Sequence, residues 1–339
     1  MHIAVIGSGL GGVTFSEEIL KRNPEVKVTL LTRERHGYYS RPLLSHGFTR
    51  EDIEEKIIMK RFPALQASGI SMKAGVDVTR LDRANQALEV LDQETKSTLH
   101  YDKLILATGS AALIPPPFRD ARIRYHVLNS LDDLIELRAL RRTWLANAKT
   151  PHWAVIGGGL IGCEVASDLA KAGDAVHLFH AMPRLMERQL VEYDSNNLLS
   201  VMESSGIYVS LKCAVRTFES RADRVAVIFD GGEQDGFDAV IIACGFSPRI
   251  DLARQAGLDC NRGIRVDAQL TTSNPGIFAI GDVAEFTDSK IYAYVTPIRN
   301  QAIWLAGYLS GSGEGFWEAP FFKPKAKVHG FNAEKPYLF

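Results

Sequence analysis

Short apolar runs alternate along the chain with segments that have the spacing of amphipathic helices. The run Ile3–Ile6 is followed by glycines, by the helix-compatible segment Val13–Arg22 and by a further apolar run, Val26–Leu31. The same order of strand, glycines, helix and strand returns over residues 154–179. Buried strands that alternate with helices are typical of an α/β fold built on a parallel sheet.

Glycine fingerprints of the form G-x-G-x-x-G occupy the first turn of each repeat, and their first glycines are 150 positions apart. In such a turn the first glycine permits a tight bend, the second lets the backbone approach a diphosphate, and the third lets the helix pack against the strand. The N-terminus of the helix then directs its N–H groups at the diphosphate. The glycines predicted to act in this way are Gly7, Gly9, Gly12, Gly157, Gly159 and Gly162.

A second element also occurs twice, as an apolar strand that ends in a small residue and a glycine. It closes with Ala107-Thr108-Gly109 in the first half and with Gly245 in the second. Glycine-rich turns without a ligand would explain this repeated order less well than two dinucleotide-binding units. The sequence therefore predicts two such units.

Composition excludes several other classes of protein. The 339 residues suggest about two domains at ~150 residues each. Lys and Arg number 39 against 40 for Asp and Glu, a balance that argues against a dedicated nucleic-acid binder. The four cysteines form no C-x-x-C pair, which removes the common zinc and dithiol signatures and favours a reducing compartment. With no apolar segment long enough to span a bilayer, we expect a cytoplasmic protein without a membrane span.

Near the C-terminus, the segment Thr272–Asp282 completes a set of motifs that resembles a known family. The two fingerprints, the Ala107–Gly109 strand end and this segment are similar to those of FAD-dependent pyridine-nucleotide reductases of the two-dinucleotide-domain type. The segments Tyr39–Ser45 and Tyr294–Ile298 resemble those of the rubredoxin and flavorubredoxin reductases.

The resemblance implies an α/β fold with two Rossmann-like domains. The FAD domain would comprise residues 1–113 and 248–315, with an NAD(P) domain inserted at 114–247. Residues 316–339 would be the remnant of a C-terminal domain that is truncated or much reduced. The oligomeric state is left open.

The same resemblance implies FAD and either NADH or NADPH as cofactors. The first fingerprint would hold the FAD diphosphate, and Asp282 would bind the ribityl or diphosphate region. An acidic residue for the FAD ribose is expected near Thr32, where Glu34 lies two residues further on. Pro297 would begin a helix, Ile298–Leu309, that points at the flavin. Further implied cofactor positions are Arg41, Pro42, Ala107, Thr108, Gly109, Gly245 and Gly281.

In the second unit, an NAD-selective site would place an acidic residue about 20 positions after the fingerprint. This chain has His180 there, with Arg184 nearby. A surface histidine at a strand end is one interpretation, and a residue that sets modest coenzyme selectivity is the other. The choice between NADH and NADPH stays open.

Candidate catalytic residues are Glu164, Arg41 and His46. The resemblance places Glu164, in the first turn of the second unit's helix, near the flavin and the nicotinamide, with Arg41 or His46 as its cationic partner. A favourable charge at a helix N-terminus is the alternative. Residues 33–60 contain no cysteine, so the thiol chemistry of some relatives is not expected. Cys163 is expected to serve packing rather than catalysis.

The predicted function is an NAD(P)H-dependent FAD reductase that passes electrons to rubredoxin or a similar small acidic iron protein. The iron protein would be guided to the reductase by four arginines and by the lysines of residues 321–339. A ferredoxin reductase component of an oxygenase, an NADH oxidase and a catalytically silent nucleotide-sensing flavoprotein are the alternatives. The four arginines are Arg33, Arg35, Arg41 and Arg50.

Overall fold

The computed structural model describes residues 1–119 and 125–338. It divides into two compact units. The first unit comprises Met1–Ser40, Ile58–Ala111 and Ser247–Phe322. The second comprises Arg41–Ile57, Ala112–Phe246 and the C-terminal segment from Lys323.

The strands, in chain order, are β1 His2–Ile6, β2 Lys27–Thr32, β3 Tyr38–Tyr39, β4 Ile58–Lys60, β5 Ser71–Ala74, β6 Val76–Asp82, β7 Ala87–Asp92, β8 Thr95–His100, β9 Lys103–Leu106, β10 Ser110–Ala112, β11 His152–Ile156, β12 Ala175–Phe179, β13 Tyr208–Ser210, β14 Val215–Arg221, β15 Arg224–Phe229, β16 Gly232–Phe237, β17 Ala239–Ile242, β18 Phe246–Pro248, β19 Ile264–Arg265, β20 Ile277–Ala279 and β21 Ala284–Glu285. The α-helices are α1 Leu10–Arg22, α2 Ile53–Lys56, α3 Phe62–Ala67, α4 Pro116–Arg119, α5 Leu131–Ala146, α6 Leu160–Lys171, α7 Glu192–Ser204, α8 Asp251–Gln255 and α9 Val295–Leu309. Short 3₁₀ helices occupy Arg41–His46 and Gly281–Val283.

The first unit is built on a five-stranded parallel sheet with the strand order β20-β9-β1-β2-β5. The central strand β1 is apolar on both faces, and its residues Ile3, Ala4 and Val5 are fully buried, as expected for a covered parallel sheet. Helix α1 buries Phe15 and Ile19 in the same core. An antiparallel three-stranded sheet, β6-β7-β8, belongs to the same unit.

The second unit repeats this plan on a smaller scale. Its parallel sheet has the order β13-β12-β11-β17, and an antiparallel sheet, β14-β15-β16, follows. In both units the fingerprint strand pairs with the strand after the fingerprint helix, β1 with β2 and β11 with β12. The predicted α/β fold with two Rossmann-like sheets is confirmed.

Two segments lie in a different unit from the one that the sequence predicted. Residues 41–57 were assigned to the first domain but belong to the second unit. The reason is Arg138 on α5, whose side chain is nearly buried, donates to the carbonyl oxygens of Arg50 and Glu51 at 2.8 Å each, and pairs with Glu54 at 2.6 Å. A buried guanidinium needs such partners, and this segment supplies them.

The C-terminal segment is the other difference. It was predicted as a remnant of one further domain over residues 316–339, yet its first part belongs to the first unit and its last part to the second. Trp317 is buried in the first unit, where its indole N–H donates to Asn300 at 2.7 Å. From Lys323 onward the chain packs on the second unit instead.

Among the described residues, no helix is both long enough and apolar enough to cross a membrane.

Candidate dinucleotide sites

The first fingerprint forms a tight turn between β1 and the N-terminus of α1. Gly7 has φ +113°, and a Cβ there would lie 2.1 Å from the carbonyl oxygen of Ala107. A Cβ on Gly12 would lie 1.9 Å from the carbonyl oxygen of Gly7. Both positions therefore require glycine to build the turn.

Gly9 differs from these two glycines, because a Cβ at this position would meet no protein atom within 4 Å. It is the N-cap of α1 and offers no side-chain cap to the helix. The N-terminus of α1 thus faces open space with backbone N–H groups that can receive an anion. A cradle of this form fits the diphosphate of a dinucleotide.

Three further segments of the first unit lie at the same edge of its sheet. Because β1, β9 and β20 are parallel neighbours, their carboxyl ends meet there. The hydroxyl of Ser110, the first residue of β10, donates to Asp282, in the short 3₁₀ helix that follows β20, at 2.7 Å. Thr108 donates to the carbonyl oxygen of Arg249 at 2.9 Å, and the carbonyl oxygen of Gly109 accepts from the N–H of Arg249 at 3.0 Å. The strand ends predicted to bind FAD are therefore joined to one another.

Gln301 on α9 was not predicted, although it supports this edge. The side chain is fully buried, and its Oε1 accepts the N–H of Gly281 at 2.7 Å. Gly281 has φ +79°, so Gln301 fixes a turn that favours glycine. The Nε2 atom of Gln301 is buried and has no hydrogen-bond partner in the protein. A glutamine within an otherwise apolar helix segment is the feature of the sequence that could have indicated a buried polar role for Gln301.

Helix α9 begins at Val295, two residues before Pro297, the residue predicted to begin it. Pro297 is consequently the third residue of the helix rather than its first. Proline is still tolerated there, because the first turn of a helix has no intrahelical partner for its N–H groups. Tyr294 is the N-cap and makes no side-chain cap, so this N-terminus also presents backbone N–H groups.

The residues expected near the FAD ribose are held by polar contacts at the end of β2. Thr32 Oγ1 lies 2.8 Å from Ser8 Oγ and accepts the N–H of Glu34 at 3.1 Å. The carboxylate of Glu34 accepts the phenol hydroxyl of Tyr39 at 2.9 Å. Ser8 belongs to the fingerprint turn, so Thr32 connects the turn to the strand that follows it. FAD fits the first unit because the open N-terminus of α1 can receive its diphosphate.

The second fingerprint has the same backbone as the first. Gly157 has φ +113°, and Gly162 would place a Cβ 1.8 Å from the carbonyl oxygen of Gly157. Gly159 is the N-cap of α6 and has nothing within 4 Å of its Cβ position. Gly245, after β17, has φ +108°, and its carbonyl oxygen accepts the N–H of Leu113 at 3.0 Å. This unit offers a second open cradle, which fits a nicotinamide dinucleotide.

Glu164 lies in α6 and is fully buried, and it forms its ion pair with Lys327 rather than with the predicted Arg41 or His46. Its Oε2 accepts the hydroxyl of Ser45 at 2.6 Å and the ammonium group of Lys327 at 2.7 Å. Its Oε1 accepts the backbone N–H of Lys327 at 2.9 Å. The guanidinium of Arg41 instead donates to the carbonyl oxygen of Asn129. A lysine that lies 163 positions away in sequence gave no signal of this pairing.

His46, the other predicted partner of Glu164, lies beside Asp168 on the same helix. Its Nδ1 is 3.8 Å from a carboxylate oxygen of Asp168, and burial lowers the pKa of its imidazole. Asp168 also accepts from the N–H of Phe48 at 2.8 Å, the hydroxyl of Thr49 at 2.7 Å and Nε2 of His329 at 3.0 Å.

The ligand atoms of His46, Asp168 and His329 lie within 4.8 Å of one another, a spacing compatible with a metal ion. Lys171 Nζ, however, lies 3.3 Å from Nδ1 of His329. An ammonium group can only donate, so Nδ1 accepts and Nε2 carries the proton that it gives to Asp168. Hydrogen bonds therefore account for Asp168 and His329, while Nε2 of His46 is buried without a hydrogen-bond partner among the described residues.

The C-terminal segment supplies partners to a third buried carboxylate. Asp194 on α7 is fully buried and accepts the backbone N–H groups of Glu334 and Lys335, each at 2.9 Å. Together with Lys327 and His329, these contacts satisfy Glu164, Asp168 and Asp194. The segment is therefore an integral part of the second unit.

His180 is not the surface histidine that the sequence allowed. It is 8% exposed, and its ring lies against Gly158, the middle residue of the second fingerprint's Gly157–Gly159 run. The N–H of Gly158 donates to Nδ1 of His180 at 3.0 Å, and Nε2 lies 3.1 Å from Glu187 Oε2. Arg184 donates to the carbonyl oxygen of Leu190 at 3.1 Å.

The cysteines lack the features of redox-active thiols. Cys163 is fully buried in α6, and burial raises the pKa of its thiol strongly. Burial also raises the pKa of Cys244, to about 11. All four cysteines are unpaired. A thiol with a raised pKa is a poor nucleophile at neutral pH, so the expectation that Cys163 serves packing agrees with its surroundings.

Two open cradles, each at a helix N-terminus beside a parallel sheet, are the arrangement expected of a protein that binds two dinucleotides. The family described as "Pyridine nucleotide-disulphide oxidoreductase" matches residues 1–302. The chain belongs to this family and is an NAD(P)H-dependent flavoprotein reductase with FAD and NAD(H) as cofactors.

Named relatives are similar over most of their length. The chain is 33% identical over 316 residues to the rubredoxin-NAD(+) reductase of Alcanivorax borkumensis, which covers 92% of this chain and 79% of the relative. It is 31% identical over 314 residues to the nitric oxide reductase FlRd-NAD(+) reductase of Vibrio vulnificus, and the match covers 91% of this chain and 78% of the relative. It is 32% identical to the benzene 1,2-dioxygenase system ferredoxin–NAD(+) reductase subunit of Pseudomonas putida, covering 84% and 67%.

Solved structures show the same fold. The putidaredoxin reductase of a covalent complex with putidaredoxin matches with a TM-score of 0.84 and 26% identity, covering 97% of this chain and 79% of that one. The NAD-dependent persulfide reductase from A. fulgidus matches with a TM-score of 0.88 and 22% identity, covering 97% and 62%.

Proposed function

We propose that this reductase takes electrons from reduced nicotinamide and delivers them to rubredoxin or a similar small acidic iron protein. The observation that carries the proposal is the pair of open cradles, at Gly9 and Gly159, in a chain without a reactive thiol. The relatives named as rubredoxin and flavorubredoxin reductases support this acceptor. The sparse, unpaired cysteines support a cytoplasmic location.

FAD, when bound, accepts a hydride and releases its electrons one at a time, which a one-electron iron protein requires. In our proposal the N-terminus of α1 binds the FAD diphosphate through its backbone N–H groups. Asp282, oriented by Ser110, and the Gly281 turn, held by Gln301, line the same edge of the sheet. The N-terminus of α9 adds a partial positive charge suited to an anionic ring.

The second unit binds the nicotinamide dinucleotide at the N-terminus of α6. Gly157, Gly159 and Gly162 shape this cradle. We propose that Glu164, in the second turn of α6, is a fixed carboxylate on the nicotinamide side of the cradle. Its position is set by Ser45 and by Lys327, which balances its charge. Lys327 is thereby a positioning residue.

Thiol-dependent reactions of this family are not supported for this chain. The 3₁₀ helix Arg41–His46 carries Ser45 and His46 near α6, and no cysteine is present in residues 33–60. Cys163 is buried with a raised thiol pKa. These features favour an external electron acceptor over a protein thiol.

An acceptor panel tests this function. The purified protein is reduced with NADH under anaerobic conditions and mixed with rubredoxin, with a two-iron ferredoxin, or with dioxygen. We expect rubredoxin to be reduced fastest. Faster reduction of the ferredoxin would favour an oxygenase component, whereas rapid NADH consumption with dioxygen alone would favour an oxidase. Flavin that NADH does not bleach would indicate a catalytically silent protein.

Basic side chains are proposed to guide the acceptor, and the structure identifies which of them are suitable probes. Arg33 pairs with Asp77, and Arg41 donates to Asn129, so both already have structural roles. Arg35 and Arg50 are exposed. We expect Arg35→Gln or Arg50→Gln to lower the second-order rate of rubredoxin reduction and to weaken its dependence on salt. A rate that ionic strength does not change would remove electrostatic docking and leave the NADH half-reaction intact.

A further inference from the structure

The second unit lacks an acidic residue at the end of β12, where NAD-selective sites commonly have one to bind the ribose and repel a 2′-phosphate. His180 occupies that position. The surroundings of His180 nevertheless bring a carboxylate to the same place from a later part of the chain. This inference rests on the proposed function of the second unit as a nicotinamide dinucleotide site.

The tautomer of His180 follows from its hydrogen bonds. A backbone N–H can only donate, so Nδ1 of His180 must accept from Gly158. The ring is then neutral with its proton on Nε2, and that proton is donated to Glu187 Oε2 at 3.1 Å. His180 therefore connects the fingerprint backbone to the carboxylate of Glu187.

The loop that carries Glu187 is fixed to the fingerprint by a second contact. Met186 has φ +48°, and its N–H donates to the carbonyl oxygen of Gly158 at 2.8 Å. Gly158 is thus bonded on both its N–H and its carbonyl side, to His180 and to the residue before Glu187. A Cβ on Gly158 would lie 2.6 Å from Leu185 and 2.8 Å from the ring of His180.

Two arginines in this loop, Arg184 and Arg188, carry the positive charge that a 2′-phosphate would need. Arg184 donates to the carbonyl oxygens of Leu190 at 3.1 Å and Glu187 at 3.4 Å, so its guanidinium supports the loop. The side chain of Arg188 is 86% exposed, and its Nε lies 3.9 Å from Glu187 Oε1. Glu187 is 20% exposed at the side chain and partly buried against the fingerprint.

We propose that Glu187, held by His180, is the residue that determines coenzyme specificity. Its carboxylate replaces the missing strand-end acid, binds the ribose hydroxyls of the adenosine half and repels a 2′-phosphate. The protein therefore favours NADH over NADPH. His180 is a positioning residue for Glu187 rather than the discriminating group.

Calorimetry with the adenosine halves of the two coenzymes tests this proposal without any electron transfer. The dissociation constants of ADP-ribose and 2′-phospho-ADP-ribose are measured for the wild type and for Glu187→Gln. The wild type should bind ADP-ribose more tightly. Loss of one negative charge near the phosphate should reduce this preference roughly tenfold, or about 1.4 kcal/mol. Glu203→Gln, an exposed acid of α7 in the same unit, is the matched control and should leave the ratio unchanged.

A double-mutant comparison tests the role of His180. His180→Asn retains an acceptor for the N–H of Gly158 but is too short to reach Glu187. It should lower the same preference, and the double variant should be no lower than Glu187→Gln alone. Additive losses would show that His180 acts independently and would overturn its positioning role.

Three other outcomes would overturn the assignment of Glu187. A wild type that prefers 2′-phospho-ADP-ribose is the first, and an unchanged ratio in Glu187→Gln is the second. The third is an equal loss of affinity for both ligands in Glu187→Gln, because a merely structural role would affect the two affinities alike. Since the fragments bind whether or not an iron protein is reduced, failure of the acceptor assay would not affect this result.

Discussion

Lys327 offers the sharpest test of how the C-terminal segment contributes to the second unit. Its ammonium group lies 2.7 Å from Glu164, which is fully buried. Lys327→Gln would leave that carboxylate without a cation but with two neutral donors, the hydroxyl of Ser45 and the N–H of residue 327.

The magnitude follows from the burial of the two partners. Breaking a fully buried ion pair costs about 3–5 kcal/mol. The side chain of Lys327 is 31% exposed, and Glu164 keeps two hydrogen bonds, so we expect a loss of about 1–3 kcal/mol. A loss near ~2 kcal/mol would lower the Tm of a unit of this size by about 4–8 °C.

Thermal and urea unfolding of the variant measure this loss. Lys325→Gln is the matched control, because it removes the same charge from an exposed position two residues away. Glu164→Gln in the Lys327→Gln background should recover part of the stability, with a coupling of about 1 kcal/mol or more. Equal stability of Lys327→Gln and Lys325→Gln would show that the Lys327–Glu164 ion pair does not stabilise the second unit.

Three further predictions concern other parts of the chain. Gly9→Val should lower FAD content with little change in apoprotein stability, because its Cβ position is open, whereas Gly12→Val should destabilise the fold, because a Cβ there would lie 1.9 Å from a carbonyl oxygen. Flavin absorbance measures the FAD content, and the Tm of the apoprotein measures its stability. Burial lowers the pKa of His177 to about 4, whereas the unfolded chain takes up the proton near 6.5, so the stability of the folded protein should fall as pH drops from 6.5 to 4. Tm measured against pH should fall less steeply in His177→Gln. Iodoacetamide at neutral pH should leave rubredoxin reduction unchanged, because burial raises the pKa of Cys163 and Cys244; loss of activity that Cys244→Ala prevents would contradict this.

Local chemistry made the nucleotide cradles predictable from sequence. Gly7 and Gly157 share φ +113°, a conformation that side chains rarely adopt, so glycine spacing alone marked both turns. The strands around them are buried on both faces, so their sequences are runs of consecutive apolar residues rather than alternating apolar and polar residues. The predicted start of α9 at Pro297 is two residues too late, because proline is acceptable at several positions in the first turn of a helix.

Contacts between distant segments were not predictable in the same way. Lys327 and Glu164 are 163 positions apart, and neither residue carries a local pattern that indicates its partner. Gln301 and Glu187 are similar cases, because polar side chains are common on helices and in loops. Their importance depends on burial and on which backbone groups need a partner, and both depend on the tertiary fold.

We propose that electrons pass in this protein from reduced nicotinamide, through bound FAD, to a one-electron iron protein without a protein thiol. Anaerobic stopped-flow absorbance of the purified holoenzyme tests this electron path. One equivalent of NADH should bleach the flavin, and oxidised rubredoxin should restore the oxidised spectrum, two molecules for each NADH. The same should hold after treatment with iodoacetamide. If NADH bleaches the flavin but rubredoxin does not reoxidise it, rubredoxin is not the acceptor. If thiol alkylation abolishes the reoxidation, a protein thiol takes part in the transfer.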